Sequence, residues 1–214
     1  MTRMVLLLVA FLVSALPLQA APIVFTATLD GASESPSNAS PGTGLALVTI
    51  DDILHTLRVQ VTFADLTAGN TAAHIHVING PGDANTADTL GPVATTTPTF
   101  TGFPTGATSG SFDATFDMTL ASSYRAGWIT DSGGVDQAET ALFAGILEGR
   151  AYLNIHSSTF PGGEIRGFLQ PQPAAVPEPA SLLLLGSGLA AAATRCRRQR
   201  RSGAKAVLRG SHVN

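Results

Sequence analysis

The sequence predicts a mainly β fold, an antiparallel sandwich or partly open barrel with one short helix over about 136–148. Three observations carry this. Six or more stretches alternate apolar and polar residues with a period of two, their connections are rich in turn-forming residues, and helical spacing is convincing only over 136–148.

In chain order, residues 23–30 alternate as a first strand and lead into a polar loop over 31–41. Strands over 44–50 and 57–63 pair as a hairpin through Asp51 and Asp52. Leu57, Val59, Val61 and Phe63 form its buried set, and Arg58, Gln60 and Thr62 face outward. Residues 72–78 place Ala73, Ile75 and Val77 on one face and His74 and His76 on the other. The run NGPGDANTADTLGPVATTTPTFTGFPTG that follows is too irregular for an element, and loops of that length usually carry function or lack order. The next strand, 111–120, turns Phe112, Ala114, Phe116, Met118 and Leu120 inward and Asp113, Asp117 and Thr119 outward. Residues 124–134 are ambiguous, with Trp128 and Ile129 expected beneath a loop. In the helix, Asp136 and Glu139 resemble a capping box, Ala138, Leu142, Phe143 and Ile146 form the apolar stripe, and Gly149 ends it.

The last hairpin, AYLNIHSSTFPGGEIRG, alternates Ala151, Leu153 and Ile155 with Tyr152, Asn154 and His156, and restarts at Glu164, Ile165 and Arg166 after Gly162 and Gly163. Symmetric pairing places His156 opposite Glu164, Asn154 opposite Arg166 and Tyr152 opposite Phe168. Ala151, Leu153, Ile155, Ile165 and Leu169 make the core face.

Both ends read as addresses. Residues 1–20, with Arg3 before an apolar run over 5–16, read as a secretory signal peptide, since twelve helical residues reach only about 18 Å. A domain over 22–171 follows, large enough for a real core. Residues 172–214 combine a proline-rich linker, an apolar stretch over 180–194 that reaches roughly 22 Å as a helix, and a basic tail over 195–209. The tail cations Arg195, Arg197, Arg198, Arg200 and Arg201 would keep that end cytoplasmic, which gives transient inner-membrane anchoring. The order of Val176-Pro177-Glu178-Pro179, short apolar helix and arginines resembles the PEP-CTERM sorting signal of Gram-negative bacteria. That resemblance implies the secretion machinery and an exosortase-type enzyme as partners, and a final location at the cell surface or outside. An ordinary tail anchor is the alternative.

Of 12 Lys and Arg, only Arg58, Arg125, Arg150 and Arg166 lie between these ends, against 14 of the 15 Asp and Glu; with Glu178 retained by a cut near its motif, the processed chain carries a charge of about −11. Such a surface repels nucleic acid and suits cations. The single cysteine, Cys196, lies in the tail, so no disulfide supports the domain.

The segments FTATLDGASESP, AAHIHVINGPGDA and LEGRAYLNIHSSTFPGGEIRG resemble the CHRD domain over most of 25–169. The resemblance implies an immunoglobulin-like β-barrel related distantly to copper-zinc superoxide dismutase, and it implies fold more firmly than activity.

His74 and His76 at i and i+2 of a strand lie about 6.6 Å apart at Cα and point the same way. With His156 from another strand they would give three imidazole nitrogens suited to one Cu or Zn ion, and Glu164 would be a fourth ligand or an acceptor that orients the His156 ring. The alternative is a plain outward polar face, with a His156–Glu164 pair contributing a few tenths of a kcal/mol. His55 beside a turn and His212 in the tail are not candidates.

The expected function is a non-catalytic exported surface or matrix protein. A superoxide-dismutase type of enzyme would need more histidines than the domain supplies for a bridged dinuclear site. Adhesion to surface polysaccharide, as in a biofilm matrix, would draw on few rings, Trp128, Tyr124 and Tyr152. A hydrolase is weaker still: no Gly-x-Ser-x-Gly elbow occurs, Ser157 faces away from His156, and Asp113 with Asp117 suits solvent or weak Ca²⁺.

Overall fold

The computed structural model describes residues 21–84 and 89–172. Among the described residues there are eight strands: β1 (Ile23–Asp30), β2 (Thr43–Asp51), β3 (Thr56–Ala64), β4 (Asn70–Val77), β5 (Gly110–Asp117), β6 (Ala151–Ser157), β7 (Ile165–Phe168) and β8 (Gln170–Pro171). They form one antiparallel sheet in the order β4-β6-β7-β1-β2-β3-β5, with β8 also paired to β1. β1, β2 and β3 meander with continuous registers, Ile23 against Ile50 and Thr43 against Ala64, and β5 pairs with β3 from Phe63–Gly110 to Thr56–Asp117.

The sheet curls into a half-barrel around one core. Period-two alternation explains the filling: Leu29, Val48, Val59, Ile75, Leu153, Ile155 and Ile165 point inward and are buried. Two helices, α1 (Ala126–Ser132) and α2 (Val135–Leu147), pack on it through Trp128, Leu142 and Ile146, all fully buried. The indole N–H of Trp128 donates to the Ala138 carbonyl at 3.0 Å and ties the helices together.

Several expectations are corrected. The ambiguous stretch holds α1, whose seven residues are too few to show a stripe, and Gly133 at φ 93 terminates it. The capping box does not form: Gly134 precedes α2 without a side-chain cap, and Glu139 instead accepts from His55 Nδ1 at 3.0 Å. β5 stops at Asp117, so Leu120 is 51% exposed rather than inward, and the chain continues into a 3-10 turn over Ala121–Ser123.

Among its described residues the long turn-rich run forms no strand of its own, yet it protects the edge of β4. Ala94 N–H donates to the Ile75 carbonyl at 2.9 Å and Phe100 N–H to the Ala73 carbonyl at 3.2 Å. The Ile75 and Ala73 N–H groups donate to the hydroxyls of Thr95 and Thr99, each at 3.0 Å. Hydroxyls and backbone thus satisfy an edge that would otherwise recruit another chain.

α2 approaches β4 at Gly145, where an added Cβ would lie 2.4 Å from Val77 Cγ1. Alanine is the better helix former by about 1 kcal/mol. Overpacking outweighs this, and Gly145→Ala is expected to lower stability by about 1–3 kcal/mol in chemical denaturation. A stability equal to or above that of the parent would contradict so close an approach.

Candidate metal centre

β4 and β6 pair with Ala72 opposite His156, His74 opposite Asn154 and His76 opposite Tyr152. His74, His76 and His156 therefore share one face. His156 sits diagonally from His74, and its directly opposed neighbour is the small Ala72, which leaves room for the ring to lean across. Ring centroids are 5.3 Å apart for His74 and His156, 5.9 Å for His74 and His76, and 6.1 Å for His76 and His156. One nitrogen from each ring lies within 4.8 Å of the others.

Backbone carbonyls set the tautomers. His74 Nε2 bonds the Pro98 carbonyl at 2.7 Å, His76 Nδ1 the Gly91 carbonyl at 2.8 Å, and His156 Nδ1 the Pro161 carbonyl at 2.9 Å. A carbonyl only accepts, so each of these nitrogens carries the proton and the other nitrogen of each neutral ring presents a lone pair. His74 Nδ1 and His156 Nε2 meet at 3.3 Å, lone pair against lone pair, and His76 Nε2 is buried without a hydrogen-bond partner. Burial pushes His74 and His76 down to about 4 and holds His156 below its ordinary value, so none protonates near neutrality to relieve the contact. The three free nitrogens fit a metal ion, with the carbonyls orienting the rings.

Glu164 is placed elsewhere. The β6–β7 ladder includes the expected Asn154–Arg166 and Tyr152–Phe168 pairs but ends at Ile155–Ile165, and Gly163 at φ 137 turns the chain just outside it. Oε1 of Glu164 accepts from Ser40 Oγ at 2.6 Å and from Thr67 N–H at 2.5 Å. Burial would raise this carboxyl, but donors from Ser157, Ser40 and Thr67 outweigh it and hold the pKa below the usual value. Glu164 thus braces the 31–42 loop against the hairpin and is not grouped with the imidazoles.

The rest of this face is polar yet covered. Tyr152, Asn154 and Arg166 are all buried, overlain by Glu34 from the loop after β1. Tyr152 stacks on His76 at 4.9 Å and 9°, and the Arg166 guanidinium lies 4.8 Å from the Tyr152 ring centroid. Arg166 also donates to the Thr89 carbonyl at 3.0 Å, and Asn154 to Glu34 at 3.0 Å. Sequence reasoning placed Tyr152 on this face but missed its stack on His76, and it missed Glu34 and the carbonyls of Gly91, Pro98 and Pro161. The usable signal was the length and turn chemistry of the loop that carries two of them.

The other histidine with described structure, His55, pairs with Glu139 apart from this group. Asp113 is bound by Arg58 at 2.8 Å and Asp117 by Thr119 at 2.6 Å, so the two carboxylates are engaged separately. Trp128, Tyr124 and Tyr152 are buried and offer no exposed stacking face.

A profile of the CHRD domain matches residues 25–169, and one of the PEP-CTERM protein-sorting motif matches residues 175–198. No curated protein and no solved structure matches the chain.

Burial raises the Glu34 carboxyl to about 7, against the opposing pull of Arg166. The folded state then binds more protons than the unfolded one between pH 4.5 and 7, so this group's contribution is present below pH 4.5 and lost as pH rises through 7. Glu34→Gln is expected to remove up to about 3 kcal/mol of that decline, read as the difference between the two pH–stability curves. Parallel curves would contradict it.

Proposed function

The chain belongs to the CHRD domain family, and from that premise we propose an exported, non-catalytic surface or extracellular protein whose domain holds a single Cu or Zn ion through His74, His76 and His156. The observation that carries the metal reading is the convergence of three imidazole lone pairs whose tautomers are already fixed by backbone carbonyls. An ion would replace a lone-pair contact by three bonds, and it would give the buried His76 Nε2 the partner it lacks. The acidic balance of the processed chain would favour cation capture from solution.

Export rests on the PEP-CTERM motif, which is a sorting signal. In the proposed sequence of events the chain crosses the inner membrane of a Gram-negative cell, is held briefly by its tail, and is cut near Val176-Pro177-Glu178-Pro179 by an exosortase-type enzyme. Among the described residues no helix is long and apolar enough to cross a membrane; the 180–194 segment and the tail cations lie outside them, as do residues 1–20. Among the described residues the imidazoles form a single group of three, which supports binding over the two-metal chemistry of a superoxide dismutase. Buried Trp128, Tyr124 and Tyr152 lend no support to polysaccharide stacking.

Purified protein is expected to bind one equivalent of Cu or Zn in calorimetry, and His76→Ala to weaken it by at least about 100-fold. Negligible, equal binding in both proteins would end the metal reading. For sorting, replacing Pro177, Glu178 and Pro179 by alanine is expected to leave the full-length species cell-associated, seen as a larger band in fractionated cells. Unchanged processing would contradict the assignment of the motif.

A further inference from the structure

Resting on the reading of the three imidazoles as a metal centre, we propose that this centre selects cuprous copper, Cu⁺, over the divalent ions Cu²⁺ and Zn²⁺. All three donors are neutral. Each ring gives its N–H to a backbone carbonyl rather than a carboxylate, so no imidazole gains anionic character from its partner. Neither Glu164 nor Glu34 is grouped with the imidazoles. Glu164 is held by Ser40 and Thr67, and Glu34 is held by Asn154 and lies 3.8 Å from Arg166.

The charge that does reach the centre is positive. Arg166, itself buried, lies over the Tyr152 ring that stacks on His76, and its charge acts on that imidazole. Placing an ion against three neutral donors, with a guanidinium beyond the Tyr152 ring and His74 only 7% exposed, penalises each added unit of positive charge. A monovalent ion bears that penalty once and a divalent ion twice. Coordination number is consistent with this: a filled-shell Cu⁺ ion is satisfied by the three nitrogens alone, whereas Zn²⁺ and Cu²⁺ would each need a further ligand, such as water, brought to this covered face.

The test uses purified protein and the bare ions. Cu⁺ affinity is read anaerobically by competition with bathocuproine disulfonate, and Cu²⁺ and Zn²⁺ affinities by competition with chelators of known strength. Cu⁺ is expected to bind at least about 100-fold more tightly than Cu²⁺, which raises the copper couple by about 120 mV at 59 mV per tenfold. At pH 8, above the raised Glu34 value of about 7, Glu34→Gln removes the compensating carboxylate and is expected to widen the preference by about tenfold, and Arg166→Gln to narrow it by a similar factor. Should Arg166→Gln fail to fold, Glu34→Gln carries the comparison alone. Stoichiometric binding with Cu²⁺ or Zn²⁺ as tight as Cu⁺ overturns this inference and leaves the metal centre standing. No binding of any of the three ions removes both, and a preference unmoved by Glu34→Gln overturns the electrostatic argument.

Discussion

Three imidazoles gathered on one strand face, with the lone pairs of His74 and His156 3.3 Å apart, are the constraint on which the rest of this structure turns. Neutral rings so placed repel, and the usual relief, protonation of one of them, is opposed by burial that drives His74 and His76 down to about 4. The arrangement persists because other elements hold it. Pro98, Gly91 and Pro161 fix the ring orientations, and Tyr152 supports His76 from the neighbouring strand. A face that only needed to be wet would have no use for carbonyls aimed at each ring.

The fold supplies this layer by covering both faces of β6. The inner face, Ala151, Leu153 and Ile155, joins the common core, while the outer face lies beneath two loops. One loop brings Glu34 over Asn154 and Arg166; the other runs along β4 and delivers the Gly91 and Pro98 carbonyls. The same bonds that quiet the β4 edge also position the imidazole partners. Edge protection and site construction are thus one device, and α2 presses on it from the core side, where Gly145 meets Val77.

The inner face was readable in the sequence because a period of two writes itself directly into residue order, and Leu57, Val59, Val61, Phe63, Ile75 and Leu153 are buried as their alternation says. Sharing of one face by His74, His76 and His156 followed from the same rule. What lay beyond reach was everything set by irregular backbone. Glu164 has the right spacing to oppose His156, but it falls one residue outside the ladder, beyond Gly163, where parity no longer fixes a side chain's direction. α1 was hidden by its shortness. The carbonyls that set the tautomers belong to loops, and no residue type announces a carbonyl.

The most direct measurement of this account is the tautomer of each ring, read from long-range ¹H–¹⁵N correlations of the imidazoles in the metal-free protein and again after one equivalent of metal. The account predicts protons on His74 Nε2, His76 Nδ1 and His156 Nδ1 without metal. On loading, the chemical shifts of His74 Nδ1, His76 Nε2 and His156 Nε2 should move while the protonated nitrogens stay protonated. A proton on His74 Nδ1, His76 Nε2 or His156 Nε2 in the metal-free protein, or a set of ring signals indifferent to metal, would contradict it.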